Sequence, residues 1–249
     1  MYSEEIYLYL PSSVYSYGGI ENKINKYCTV LNAPIHLLEG VEYEAGVIKI
    51  IYPTSAKNVY NGDFTYYSYA QKMKILTRIA AGQYKIPEEF IEQFSKVLGY
   101  DKAYYKLTAD SQSKKFMMEC VKDDPYLELS QNLQALTGFP EKIAEKGYTL
   151  GEYWNSTGGL TNLYCYSDLI VNSNIGNTVA PVAAVIKYKQ DEEGGSTEYE
   201  PQNPIYIPVS KTFIDTVTIE FRSKAGIPFP FMSGETMVVF HIRPKQLKL

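Results

Sequence analysis

The feature that most constrains the fold of this chain is the position of its strand patterns, which lie at both ends of the sequence around a different middle. Ile6 to Leu10 alternates Ile and Leu with Tyr, and Pro11 ends the run. Near the other end, Phe213 to Arg222 alternates apolar with polar residues. Alternation with a period of two predicts a half-buried strand. We therefore expect the final strand of the first block to pair with the final strand of the last block over a large sequence distance, as in a jelly roll.

Further extended segments fill the two end blocks. A long run from Val41 to Tyr52 changes the phase of its alternation around Gly46, which predicts a β-bulge there. Gly- or Pro-rich turns separate the segments of the last block. The other predicted strands are Tyr27 to Val30 and Ile35 to Leu38, broken by Asn32 and Pro34, and then Tyr164 to Val171, Ala180 to Lys189, Ile205 to Val209 and Thr236 to Arg243.

The middle of the chain has helical patterns. Pro87 to Leu98 carries apolar residues at helical spacing, begins with Pro and two glutamates, and is followed by Gly99. Shorter helices are expected from Ser130 to Thr137 and from Pro140 to Lys146, each followed by Gly. The short strands predicted between them are Tyr104 to Leu107, Lys115 to Val121 and Tyr126 to Leu129.

This arrangement predicts a mainly β protein with a discontinuous single jelly roll, an antiparallel β-sandwich, and an α+β insertion domain. We expect residues 1–59 and 159–249 to form the jelly roll and residues 60–158 to form the insertion.

Composition limits the class of partner. The net charge of −4 points neither to nucleic acid nor to an anionic membrane. The 24 tyrosines suit strand surfaces, either at subunit contacts or in a Tyr-rich monomer. Cys28, Cys120 and Cys165 lack metal-site spacing, so reduced thiols are expected. We expect neither a signal peptide nor a membrane span.

The residue patterns contain no recognised catalytic, cofactor-binding or metal-binding motif, so no site residue and no cofactor is predicted. His36 and His241 lack partners at ligand spacing, and we expect both to be structural or surface residues. Glu88-Glu89 suits a helix N-terminus and Asp123-Asp124 a turn. Asp191 to Ser196 is expected to be a solvated hairpin tip. The basic tail, Arg243, Lys245 and Lys248, could face packaged genome, contact a neighbouring coat subunit, or stay solvated.

Whole segments, rather than single residues, resemble one family. They include Ile6 to Ser13, Ala33 to Leu37 and Glu44 to Pro53 at the start, and Asn203 to Val209, Phe213 to Ile219 and Gly226 to Gly234 at the end. In order and spacing these are similar to the penton, or minor capsid, proteins of polinton-type elements, adintoviruses and virophages. Tyr43 stands at the family's usual tryptophan and Lys49 at its common glutamate.

The resemblance implies a non-enzymatic coat protein. Its members would be jelly-roll subunits with a projecting insertion, assembling as a homopentamer among trimers of the major capsid protein. The virion would be its location, with assembly in the host cytoplasm or nucleus. Two alternatives stay open. One is a jelly-roll module that binds carbohydrate or a partner, with tyrosines near Tyr66 to Tyr69 and Tyr104-Tyr105 stacking on sugars. The other is an enzyme on a β-scaffold.

Overall fold

The computed structural model describes residues 5–13, 21–110, 112–113, 115–191 and 194–245. The chain forms two compact units, a discontinuous one from Met1–Ser55 with Thr161–Leu249 and a middle one from Ala56–Leu160. The expected domain boundaries, and the expectation that the insertion projects, stay predictions.

The elements follow one another in a strand–insertion–strand order. The first block contains β1 (Ile6–Pro11), β2 (Lys26–His36) and β3 (Tyr43–Pro53). The middle unit contains β4 (Asp63–Ser68), β5 (Met73–Arg78), α1 (Pro87–Leu98), a 3₁₀ turn (Gly99–Ala103), β6 (Tyr105–Ala109), β7 (Lys115–Cys120), β8 (Leu127–Leu129), α2 (Gln131–Thr137), β9 (Lys142–Ile143) and β10 (Gly147–Tyr153). The last block contains β11 (Asn162–Ser167), β12 (Ser173–Ile175), β13 (Thr178–Ala180), β14 (Val182–Lys187), β15 (Ser196–Tyr199), β16 (Tyr206–Pro208), β17 (Phe213–Arg222) and β18 (Met237–Pro244).

The discontinuous unit is a two-sheet antiparallel jelly roll, which confirms the predicted fold class. One sheet has the order β1-β18-β3-β15, with β16 also paired to β3, and the other has the order β14-β11-β17-β2. Successive strands alternate between the two sheets, with two exceptions: β11 and β14 pair within the second sheet, and β15 and β16 both pair with β3 in the first. This is the arrangement of a jelly roll.

The last strand closes the first sheet. β18 pairs with β1 from Ile6↔Ile242 to Pro11↔Met237, and its other edge pairs with β3. Val238, Phe240 and Ile242 of β18 are fully buried. Burial of each such side chain contributes roughly 1.5–3 kcal/mol to folding. The predicted pairing of the final strands of the first and last blocks, β3 and β18, is therefore confirmed, and the pairing of β1 with β18 is an additional contact.

Two details of the first block differ from the sequence-based expectation. β2 is one strand from Lys26 to His36, where two short strands were expected. Its register against β17 shifts between Ile214 and Thr216, so residues 31–34 form a bulge and pairing resumes at Ile35. The bulge predicted in β3 is present, but it lies at Ile48, between Val47 and Lys49, and not at Gly46. Gly46 is paired. A Cβ there would lie 3.1 Å from the Tyr206 ring, so close packing explains this glycine.

The middle unit has its own aromatic core between two small sheets and a helix. The sheets have the orders β5-β4-β8-β9 and β10-β7-β6. α1 buries Phe90 and Phe94, and ring centroids lie 5.1 Å apart for Phe64–Phe94 and 5.6 Å apart for Phe116–Trp154. Aromatic pairs at such distances add to the hydrophobic stabilisation of a core.

Two of the three predicted helices are confirmed. α1 has Pro87 in its first turn, and α2 has Ser130 as its N-cap and left-handed Gly138 as its C-cap. The helix expected from Pro140 to Lys146 is wrong. Lys142–Ile143 instead pairs with β8, and Ile143 is buried in the aromatic core. Tertiary packing outweighs the propensity of so short a segment.

A buried amide network holds the two ends of the middle unit together. Asn132 accepts hydrogen bonds from the backbone N–H groups of Tyr60 and Asn61 and donates to the carbonyls of Asn58 and Gly158. Asn132 is 2% exposed, and its hydrogen bonds to the Asn58 and Gly158 carbonyls are buried, whereas those from Tyr60 and Asn61 are partly buried. Gly158 approaches so closely that a Cβ would lie 2.0 Å from the Asn58 carbonyl oxygen.

Removing the Asn132 amide tests this network. The substitution Asn132→Ala leaves two partly buried backbone donors and two buried carbonyl acceptors without their side-chain partner, and we expect it to lower the free energy of unfolding by about 3 kcal/mol. Chemical denaturation measures the change. The matched control, Asn174→Ala at an exposed position, should change stability by less than about 0.5 kcal/mol. Equal effects of the two substitutions would contradict the role of the network.

Candidate assembly surfaces

The jelly-roll unit presents two chemically different outer faces. Side chains alternate across each strand, so the buried positions fix which residues face outward. The β3 face is the outer side of the first sheet, and it carries Tyr7, Tyr9, Glu44, Lys49, Glu198, Tyr206, His241 and Arg243. The β17 face is the outer side of the second sheet, and it carries Lys26, Cys28, Val30, Tyr164, Tyr166, Val185, Lys187, Thr218, Glu220 and Arg222.

Aromatic and charged groups form an ordered cluster on the β3 face. The Tyr7 ring stacks on His241 with centroids 4.7 Å apart, and His241 Nδ1 lies 2.8 Å from the Tyr206 hydroxyl. The Arg243 guanidinium lies 3.5 Å from the centre of the Tyr206 ring and donates to Glu44 at 2.8 Å. Tyr7 is 51% exposed and Tyr9 is 64% exposed. Tyrosines ordered but open to solvent on a strand face are typical of protein interfaces.

Three charges lie next to the aromatic cluster. The Lys49 ammonium is 2.7 Å from the Glu198 carboxylate and 2.8 Å from the Glu200 carboxylate. Hydrogen bonds to these two carboxylates raise the pKa of Lys49 above its usual range. One cation between two anions gives this acidic triad a net charge of −1.

The β17 face carries the opposite arrangement. Glu220 lies 2.8 Å from the Arg222 guanidinium and 3.8 Å from the Lys26 ammonium. The hydrogen bond from Arg222 to Glu220 raises the pKa of Arg222. One anion between two cations gives this basic triad a net charge of +1. In the part of the chain that the structure describes, the exposed Lys187 and Lys189 form no ion pair.

A shallow cleft opens on the β17 face. It has a volume of about 440 Å³ and lies between the β12–β13 hairpin and the strands β11 and β17. Its polar lining includes Asp168, Glu220 and Arg222. Both carboxylate oxygens of Asp168 already accept hydrogen bonds within the jelly roll, one from the Thr218 backbone N–H at 2.7 Å and one from the Lys211 ammonium at 2.6 Å.

The tyrosines considered for sugar stacking are used by the middle unit itself. Tyr66 lies in β4 and Tyr105 in β6, and both rings are in the aromatic core. Tyr69 and Tyr104 pack edge to face with centroids 5.1 Å apart, and the Tyr69 hydroxyl donates to the Asp123 carbonyl. A sugar-stacking platform needs an open ring face, which the buried pair lacks. Tyr67, Tyr69 and Tyr104 are half-buried, so the sugar-stacking alternative stays a prediction for these three residues.

The histidines and acidic pairs occupy structural positions. His36 is exposed at the end of β2, with its ring centroid 4.7 Å from that of Phe213. It lies in the second sheet, whereas His241 lies in the first. Glu88 and Glu89 lie in the first turn of α1, as predicted. Asp123 pairs with Lys146 at 2.9 Å. Asp124 has a positive φ of 53° in a turn.

The basic tail is only partly described. Arg243 pairs with Glu44 and Lys245 pairs with Glu42, so both cations already have carboxylate partners. Lys248 lies outside the described residues, as do Glu192 and Glu193 of the acidic tip. These pairings reduce the charge that the tail could offer to nucleic acid.

The described residues contain neither a candidate metal site nor a candidate membrane-spanning helix. Within residues 5–13, 21–110, 112–113, 115–191 and 194–245, no group of three His, Cys, Asp or Glu side chains could hold a metal ion. No helix in those same ranges has the length and hydrophobicity to span a bilayer.

Sequence reasoning missed both charge triads. β15 was not predicted, so Glu198 and Glu200 were not placed beside Lys49. The alternation of Ser196, Glu198 and Glu200 with Thr197 and Tyr199 was the signal that could have found this strand. Lys26 lay one residue outside the predicted second strand.

This chain is similar to known proteins in its fold and not in its sequence. No protein-family model matches this sequence, and no curated protein matches it. Among solved structures, 24 chains match. One is the crystal structure of the selenomethionine-labelled mavirus penton protein, with a TM-score of 0.50 and 9% sequence identity. The match covers 97% of this chain and 100% of that one.

This chain has a penton-like capsid fold. At 9% identity the likeness shows the fold alone, and it does not assign the chain to one viral group.

The three thiols give a direct test of the jelly-roll and middle-unit cores. Burial raises the pKa of Cys165 to about 12 and, with Glu119 nearby, raises the pKa of Cys120 to about 11. Since the thiolate is the reactive form, both should resist a thiol reagent at pH 8 until the protein unfolds, whereas the half-exposed Cys28 should react in the native chain. Labelling with mass detection, in protein dilute enough to be monomeric, measures this. Rapid native labelling of Cys165 would contradict the described core.

Proposed function

We propose that this protein is a structural, non-enzymatic subunit of a viral capsid, and that it forms the pentameric vertex of an icosahedral shell. The observation that carries the proposal is the fold match to a penton protein over nearly the full length of both chains. A match confined to the jelly roll would be weak, because jelly rolls serve many functions. Here the alignment also includes the middle unit.

The two outer faces of the jelly roll support a ring. A cyclic pentamer needs heterologous contacts, in which one patch of a subunit meets a different patch of the neighbouring subunit. The β3 face and the β17 face differ in charge and both carry partly exposed tyrosine or apolar side chains, including Tyr9 and Val185. A subunit with two such faces can bind one neighbour on each side.

The remaining parts of the proposal follow from that role. The subunit would assemble with five-fold symmetry among trimers of a major capsid protein and would be located in the virion, after assembly in the host cytoplasm or nucleus. Origin from a polinton, adintovirus or virophage is part of this proposal. The middle unit would be the projecting domain.

The mass of the purified protein in solution tests the proposal. Native mass spectrometry should give a complex five times the mass of the 28.3 kDa chain. Negative-stain images of the same sample should show rings with five-fold symmetry. A two-fold dimer would contradict the proposal, and so would a monomer at every concentration up to about 1 mM. A dissociation constant of about 1 mM corresponds to a binding free energy of only about 4 kcal/mol. Glycan binding by a monomer would favour the jelly-roll binding module.

A further inference from the structure

The two charge triads differ in a way that bears on how copies of the chain meet. On the β3 face, Lys49 lies between two carboxylates, and on the β17 face Glu220 lies between two cations. Each triad is on the outer side of its sheet, and its residues are at least partly exposed. Within one copy the two faces belong to opposite sheets of the sandwich.

The surrounding charges strengthen this difference. Glu5 adds a carboxylate to the β3 face, 3.5 Å from His241 Nε2. Lys187 and Lys189, which form no ion pair among the described residues, add two cations to the edge of the β17 face. Asp215, an exposed carboxylate at the start of β17, offsets one of them. The β3 face is therefore acidic in balance and the β17 face is basic.

We infer that the β3 face of one copy packs against the β17 face of the next copy around the ring, with the acidic triad opposite the basic triad. This inference rests on the proposed pentamer and names the surfaces that form it. The occupant of each face is a second copy of this chain.

Electrostatics selects this pairing over the symmetric ones. Contact between two β3 faces, or between two β17 faces, would place like charges opposite one another and produce a two-fold dimer. Contact between unlike faces brings opposite charges together and repeats around a closed ring. The charges therefore favour heterologous assembly.

Apolar contact would supply much of the binding energy. The β3 face offers Tyr7 and Tyr9, which are 51% and 64% exposed, and the β17 face offers Val185, which is 48% exposed, beside the half-buried Tyr164 and Tyr166. In protein interfaces tyrosine and apolar side chains occupy the centre, while charged groups determine which surfaces meet.

Paired charge reversals test the inference. The variant E198K/E200K makes the acidic triad cationic, and the variant K26E/K187E reverses the charge balance of the β17 face. Each should lower the pentamer fraction in native mass spectrometry by at least about tenfold, because like charges then oppose one another. The quadruple variant carries both reversals and should recover the wild-type fraction. Circular dichroism and thermal melting check that every variant folds.

A mixture of the two double variants adds a test based on ring size. Matched contacts in that mixture form only between unlike copies, which must then alternate. Five is an odd number, so a five-membered ring would contain at least one mismatched contact. The mixture should therefore give open chains or even-numbered rings, while the quadruple variant closes rings of five.

Cys28 gives an independent readout, because it lies on the β17 face beside Thr218. Its labelling by a thiol reagent should slow by at least about tenfold when rings form. The thiol would then react only in the small fraction of subunits whose interface is transiently open. The matched control K85E/K102E places the same charge change on exposed lysines of the middle unit and should leave ring formation unchanged.

The outcomes separate the two proposals. Pentamers that form normally in both folded double variants, or a folded quadruple variant that stays dissociated, would overturn the face assignment and leave the proposed function intact. Wild-type protein that never forms a pentamer would overturn both.

Discussion

The insertion of the last strand between the first and third is the interaction on which the rest of the jelly roll depends. β18 hydrogen-bonds to β1 on one edge and β3 on the other, and it buries Val238, Phe240 and Ile242. Without β18, β1 has no partner strand in the described sheet, and the Thr236 hydroxyl cannot bond to the Ile24 carbonyl. The outer β3 face also depends on it, since His241 and Arg243 are β18 residues. Because the contacts with β1 and with the segment before β2 join residues more than 200 positions apart, closure should be a slow and late step of folding.

The middle unit can be long because its two ends are held together within the unit itself. Asn132 donates to the carbonyls of Asn58 and Gly158, so residues 74 and 26 positions away are held by one amide. A unit whose ends are close and whose core is separate can be inserted into a connection between strands without distorting them. The aromatic core around Phe90 and Trp154 gives the unit that independence.

Much of the fold could be predicted from local pattern, and little of the candidate surface could. Alternation identified β1, β17 and β18, and capping residues identified α1 and α2, because each signal lies within the segment itself. The Pro140 to Lys146 helix failed because pairing with β8 and burial of Ile143 are tertiary effects. The charge triads were missed for the same reason, since Lys49 meets Glu198 only across two paired strands about 150 positions apart in sequence.

The jelly roll is proposed to be a ring-forming coat subunit that uses two unlike faces. The most direct measurement is a cryo-electron microscopy reconstruction of the assembled protein, computed without imposed symmetry. We expect five copies around one axis, with each β3 face against the β17 face of its neighbour. A two-fold dimer joined through identical faces, or a ring in which Tyr9 and Val185 both remain open to solvent, would contradict it.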